Sequence, residues 1–131
     1  ALLNEFSATC SDVVHAAGGR VVKFIGDEVM WVAPTPDALV QVAVDLVEHP
    51  RAREAHLQVR AGLDFGTVLA ISGDYFGNPV NLAARLVSAA GPGRILMSAA
   101  LRAALPDRPA VMQEPLTLKG FDEPVPAYAL S

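Results

Sequence analysis

The stretch Gly73-Asp74-Tyr75-Phe76-Gly77-Asn78-Pro79-Val80-Asn81-Leu82-Ala83-Ala84-Arg85-Leu86 puts a carboxylate at a glycine-bounded turn and then enters a helix. Asn81 and Arg85 are four residues apart and share a face of that helix. Val80, Leu82, Ala83 and Leu86 should be buried, so an amide and a guanidinium close to an apolar face either form a solvated stripe or meet something polar. Upstream, Lys23-Phe24-Ile25-Gly26-Asp27 repeats the combination of a cation and a carboxylate. Lys23 should share a strand face with Val21 and Ile25, where a lysine either snorkels from an edge or is aimed at a polar group. Asp27 falls in a tight turn, a common place for Asp on conformational grounds alone. Lys119 precedes a turn glycine in Leu118-Lys119-Gly120-Phe121.

The elements that must position these groups follow from periodicity and punctuation. Leu2, Phe6, Cys10, Val13/Val14 and Ala17 recur at helical spacing, and Gly18-Gly19 stops that helix. Arg20 to Ile25 and Glu28 to Val32 read as a hairpin whose two-residue loop, Gly26-Asp27, suits a type II′ turn. Thr35 caps the next helix, with Pro36 at its first position, Asp37 in its first turn, and a stripe of Leu39, Val42, Ala43, Leu46 and Val47 ending at His49-Pro50. Leu57 to Phe65 and Val68 to Ser72 read as strands, and the Asn81–Arg85 helix should run to about Ala90. Arg94 to Met97 is a strand, Ser98 caps a short helix closed by Pro106, and Val111 to Leu118 and Val125 to Leu130 give two last strands. This order implies an α+β fold with a mainly antiparallel sheet.

Composition narrows the function classes. The chain has 131 residues, 52% of them apolar, enough for one domain with a real core. Net charge is −4 with dispersed basic residues, which argues against nucleic acid or an anionic membrane surface as partner. A single cysteine, Cys10, excludes an internal disulfide and suits a reducing cytoplasm, the expected location. The apolar runs are far short of the roughly 20 residues that span a bilayer. His15, His49 and His56 lack metal-ligand spacing, Gly62-x-x-x-Gly66 lacks a phosphate-loop sequence, and Trp31 reads as core or interface. The chain opens at Ala1-Leu2-Leu3 without Met, apparently inside a helix, as a piece of a longer protein would.

Together, Lys23-x-x-Gly26-Asp27, the Asp74–Arg85 stretch and Lys119-Gly120-Phe121-Asp122-Glu123-Pro124-Val125 resemble the catalytic domain of bacterial class III nucleotidyl cyclases, from about Val14 to Tyr128. The resemblance implies a ferredoxin-like α+β sandwich and one domain over 1–131. It implies that ATP is cyclised to 3′,5′-cyclic AMP and pyrophosphate by metal-assisted in-line attack of the 3′-hydroxyl on the α-phosphate. Lys23 and Asp74 would read adenine, the lysine donating to a ring acceptor and the carboxylate accepting from the exocyclic amine. Guanylate cyclases typically carry Glu and a small residue there. Asn81 would position the ribose, Arg85 the phosphate in the transition state, and Lys119 the terminal phosphates. Asp27 would hold catalytic Mg²⁺ or Mn²⁺, two ions per complete site, whose preference is for hard oxygen ligands. Family members act as homodimers with composite interface sites, so Asp27 would serve one site while Lys23, Asp74, Asn81, Arg85 and Lys119 serve the other. Members also begin with a strand bearing a first metal-binding aspartate, ahead of the helix this chain enters midway. The expectation is therefore an N-terminally truncated domain, inactive by itself. The competing reading is a non-catalytic cyclase-like domain that binds nucleotide or a partner. A diguanylate cyclase would need a different hairpin, and Phe24-Ile25-Gly26-Asp27-Glu28-Val29 is not it. A smaller departure is Asp64, where many members have His or another residue in the Gly-x-x-x-Gly strand.

Overall fold

The computed structural model describes residues 2–130, with side chains from residue 6 onward. The chain divides into two compact units, one ending at Val59 and the other beginning at Arg60.

In the first unit, α1 (Leu2–Ala16) is followed by β1 (Arg20–Ile25), β2 (Glu28–Val32), α2 (Pro36–Val47) and α3 (Pro50–Glu54). Apolar residues at helical spacing bury one face of α1: Phe6, Cys10 and Val14 join Val42, Leu46 and Ala52 in a core, with Val21, Val29 and Trp31 packed against it. α1 closes where Gly19 N–H donates to Val14 O (2.9 Å) and Gly18 N–H to His15 O (2.9 Å), the paired bonds of a Schellman ending. Thr35 Oγ1 accepts from Ala38 N–H at 3.1 Å and starts α2, as its sequence implies. On α2, however, Val40 is fully buried while Leu39 and Val47 are only half-buried, so the apolar stripe is centred differently from the expected one. His49-Pro50 ends α2 but also begins α3, a turn the sequence reading missed. There the His49 imidazole Nδ1 accepts from Arg51 N–H at 3.1 Å.

β1 and β2 pair antiparallel with Ile25 opposite Glu28, leaving Gly26-Asp27 as the loop. Gly26 takes φ +59 and Asp27 is not among the residues with positive φ, as expected for type II′. A bulge lies between Val21 and Lys23. Val21 pairs with Trp31 and Lys23 with Met30, and directly opposed residues share a face. Lys23 is thereby turned to the side opposite Val21, correcting the expected shared face. Its companion there is Ile25, not Val21.

The second unit contains β3 (Ala61–Leu63), β4 (Leu69–Ile71), β5 (Asp74–Phe76), α4 (Asn78–Ala89), β6 (Ile95–Ser98), α5 (Ala99–Ala104), β7 (Ala110–Met112) and β8 (Ala127–Leu130). Its main sheet runs β3-β6-β8-β7, with β3 parallel to β6 and the other neighbours antiparallel. α4 makes the crossover between the parallel strands and packs on both. Leu86, Ala90, Leu96, Leu118, Ala127 and Ala129 form the core beneath it. Burying Leu86 completely contributes roughly 1.5–3 kcal/mol.

Four strands are shorter than expected: the one expected from Val111 to Leu118 is strand only at Ala110–Met112 and that from Val125 to Leu130 only at Ala127–Leu130, with an isolated bridge between Leu116 and Val125. The stretch from Leu57 to Phe65 is strand only at Ala61–Leu63, and that from Val68 to Ser72 only at Leu69–Ile71. β4 continues through Ser72 (φ +51) and Gly73 (φ +80), a two-residue turn with both φ positive, into β5. Asp74 is thus the first residue of a strand, paired with Ile71, rather than a residue of the turn.

Candidate active site

The six singled-out residues fall on three kinds of support. Lys23 and Asp27 share the β1–β2 hairpin and both are exposed, Lys23 on the outward face set by the bulge and Asp27 at the apex. Asp74 opens β5 and is half-buried, and its Oδ1 accepts from Tyr75 N–H at 2.8 Å, which fixes the carboxylate's direction. β5 packs against α4, which carries Asn81 and Arg85 one turn apart, Asn81 exposed and Arg85 half-buried. The other side of α4, through Leu86, enters the core. Lys119 is exposed in a tight turn closed by Phe121 N–H donating to Leu118 O at 3.1 Å. Leu118 lies in the same core as Leu86, so the Lys119 turn and α4 are fastened to one body.

Asp74, Asn81, Arg85 and Lys119 therefore belong to the second unit, and Lys23 and Asp27 to the first. Chemically, these four residues of the second unit offer an amide, two cations and a carboxylate that accepts. Asp27 is a hard-oxygen donor at an open turn and fits one ligand position of a divalent cation. No group of three His, Cys, Asp or Glu side chains that could hold a metal ion occurs among the described residues, so they do not by themselves form a complete cage.

A model of the adenylate and guanylate cyclase catalytic domain matches residues 1–131, the whole chain. The chain belongs to that family. Its α+β architecture is the nucleotidyl cyclase fold: the adenylyl cyclase CyaB from P. aeruginosa superposes with a TM-score of 0.85 at 26% identity, covering 99% of this chain and 80% of that one. An uncharacterized protein of Mycobacterium tuberculosis is 69% identical over 129 residues, 98% of this chain and 34% of that protein. The adenylate cyclase of Glutamicibacter nicotianae is 43% identical over 98 residues, 75% of this chain and 24% of its own length. The cyclase domain thus spans about a third or less of the length of these curated relatives. No helix among the described residues is long and apolar enough to cross a membrane.

One feature of this cyclase domain escaped the sequence reading. Ser98, at the end of β6, donates its hydroxyl to Asp64 Oδ1 and accepts from Leu101 N–H at 3.1 Å. The same Asp64 oxygen accepts from Phe65 N–H at 2.7 Å. Asp64 therefore ties the end of β3 to the cap of α5. Ser98 was legible as a cap, but its second partner is 34 positions away, with no local signal.

Proposed function

We propose that this chain is the catalytic domain of an adenylate cyclase, converting ATP to 3′,5′-cyclic AMP and pyrophosphate in the cytoplasm as part of a signalling protein. The observation that carries the reading is the match of the adenylate and guanylate cyclase catalytic-domain family to the whole chain. The presence of Lys23 and Asp74, a donor and an acceptor of the kinds adenine requires, favours ATP within it. The naming of the 43%-identical relative as an adenylate cyclase supports it.

In this reading Lys23 donates to an adenine ring nitrogen and Asp74 accepts from the 6-amino group. Guanine presents the reverse polarity at that edge and leaves both groups opposed. Asn81 hydrogen-bonds the ribose and holds the 3′-oxygen toward the α-phosphorus. That oxygen loses its proton to water and forms the new ester bond while the bond between the α-phosphorus and the bridging oxygen breaks, releasing pyrophosphate. Arg85 spreads the charge that accumulates on the α-phosphate oxygens, and Lys119 holds the terminal phosphates. Mg²⁺ or Mn²⁺, with Asp27 as one ligand, would add positive charge near the phosphates. Two copies of the full-length protein complete the sites, Asp27 serving one and the other five residues its neighbour. Exposed apolar side chains on the hairpins, Phe24 and Ile25 on the first and Leu69, Ile71 and Phe76 on β4–β5, suit such a pairing.

The test is turnover by the purified full-length protein with Mn²⁺ or Mg²⁺, following cyclic AMP from ATP and cyclic GMP from GTP. Strong preference for ATP is expected, with Arg85→Ala lowering kcat by about 10²–10³-fold while KM changes little. Equal use of both nucleotides would reject the base-reading assignment. ATP binding without turnover would move the domain to a non-catalytic, nucleotide-binding role.

A further inference from the structure

The Gly62-x-x-x-Gly66 spacing takes no part in the reaction as described, yet α4 rests on it. A Cβ built at Gly62 would stand 2.3 Å from Val87 N, 2.5 Å from Ala83 O and 2.9 Å from Leu86 C. All three are backbone atoms, so no side-chain rearrangement relieves them. A Cβ at Gly66 would stand 2.9 Å from Cγ of Pro79, the ring at the start of the same helix. Neither glycine has a left-handed φ, so an alanine is compatible with the local backbone and space is the only obstacle. The touched positions, 79, 83, 86 and 87, step along one face of α4. At 3.6 residues per turn that face lies opposite the stripe of Asn81 and Arg85.

We propose that Gly62 and Gly66 form a seat that sets how deeply α4 lies on β3, and so are positioning residues for the reaction through Asn81 and Arg85. The proposal rests on the role given to Arg85 above. A methyl group at Gly62 falls short of ordinary 3.4 Å contact with Val87 N by about 1 Å, and the backbone of α4 must retreat by that order. A displacement of about 1 Å at the reacting groups costs on the order of 10²-fold in rate. At Gly66 the obstacle is a ring tip, which can yield, so the cost there is smaller.

The experiment uses the full-length protein with ATP and Mn²⁺. Gly62→Ala should lower kcat about 10²-fold with KM for ATP within about 3-fold of wild type. In a background with both Asn81→Ala and Arg85→Ala the same change should cost no more than about 3-fold further, because both misplaced groups are already gone. Gly66→Ala should lower kcat several-fold, and adding Pro79→Ala, which removes the obstructing Cγ, should restore most of it. A Gly62→Ala enzyme with kcat near wild type, or a full loss of about 10²-fold repeated in the Asn81→Ala and Arg85→Ala background, overturns the proposal. If Gly62→Ala does not fold, the Gly66→Ala and Pro79→Ala pair decides, and loss without rescue, or no loss, overturns it. Amide hydrogen exchange separates the seat from the role of Arg85. Exchange across α4 should quicken in Gly62→Ala while β8 is unchanged, and unaltered α4 exchange rejects the seat whatever Arg85 does. Normal kcat in Arg85→Ala alone, with α4 exchange quickened in Gly62→Ala, rejects the function of Arg85 and leaves the seat as packing only.

Discussion

Replacing Ser98 by alanine should destabilise the domain by about 2.5–3 kcal/mol. Ser98 is 2% exposed, and its hydroxyl serves two elements at once. Losing the cap on Leu101 N–H costs about 1 kcal/mol. Losing a bond to a carboxylate costs about 1.5–3 kcal/mol, and the lower end applies because Asp64 is only half-buried and water can replace part of the interaction. For a domain of this size the total corresponds to a fall in melting temperature of roughly 10 °C. Asp64→Asn keeps an oxygen that can accept from Ser98 and from Phe65 N–H but removes the charge, so it should cost about 1 kcal/mol. The assay is chemical denaturation of wild type, Ser98→Ala, Asp64→Ala and the double variant, followed by far-ultraviolet circular dichroism. Coupling of at least about 1 kcal/mol is expected between the two sites, since either change alone breaks the same bond. A Ser98→Ala loss below 1 kcal/mol, or additive single and double variants, would refute the reasoning by showing that the hydroxyl–carboxylate bond contributes nothing net.

Other outcomes follow from the same geometry. Lys23→Glu combined with Asp74→Cys should shift preference from ATP toward GTP while total activity falls, since altered base-reading groups do not rebuild the rest of the pocket; unchanged nucleotide preference in steady-state assays would reject the pair. Mixing Asp27→Ala with Arg85→Ala protein, each strongly impaired alone, should raise cyclic AMP production above either through one intact composite site, and no gain in verified heterodimers would reject shared sites. Burial pushes the Cys10 thiol above its ordinary value of 9.0, because desolvation disfavours the thiolate. The stability this represents is fully present below the unfolded thiol's pKa and is lost as pH rises through the folded value. Cys10→Ala should therefore flatten the decline in stability above about pH 9, and an unaltered alkaline slope in denaturation experiments would contradict it.

Local signals in the chain were enough for the hairpin and the helix that carry Lys23, Asp27, Asn81 and Arg85, but not for β5, which carries Asp74. The recurrence of Phe6, Cys10 and Val14 specifies the buried face of α1, Thr35 and Ser98 mark helix starts, and Gly26-Asp27 closes a hairpin. Each depends on interactions within a few residues, so the amino-acid order determines them directly. Asn81 and Arg85 likewise share a stripe by helical geometry alone. What only the tertiary structure decided depends on partners distant in the chain. The bulge at Val22 comes from pairing with β2 and turns Lys23 away from Val21, because one extra residue reverses the alternation of faces. Ala61–Leu63 is strand only where it meets β6, a parallel partner that lies beyond an entire hairpin and helix and leaves no local mark in the sequence. Val40 displaces Leu39 and Val47 from the buried stripe of α2 because the surroundings of a helix, not its own period, choose which apolar residues are covered. Asp64 finds Ser98, and Gly62 finds the backbone of α4, only when the chain has closed on itself. The sequence determined which side chains are available for chemistry and which local elements hold them, while packing between distant segments decided the faces on which they stand.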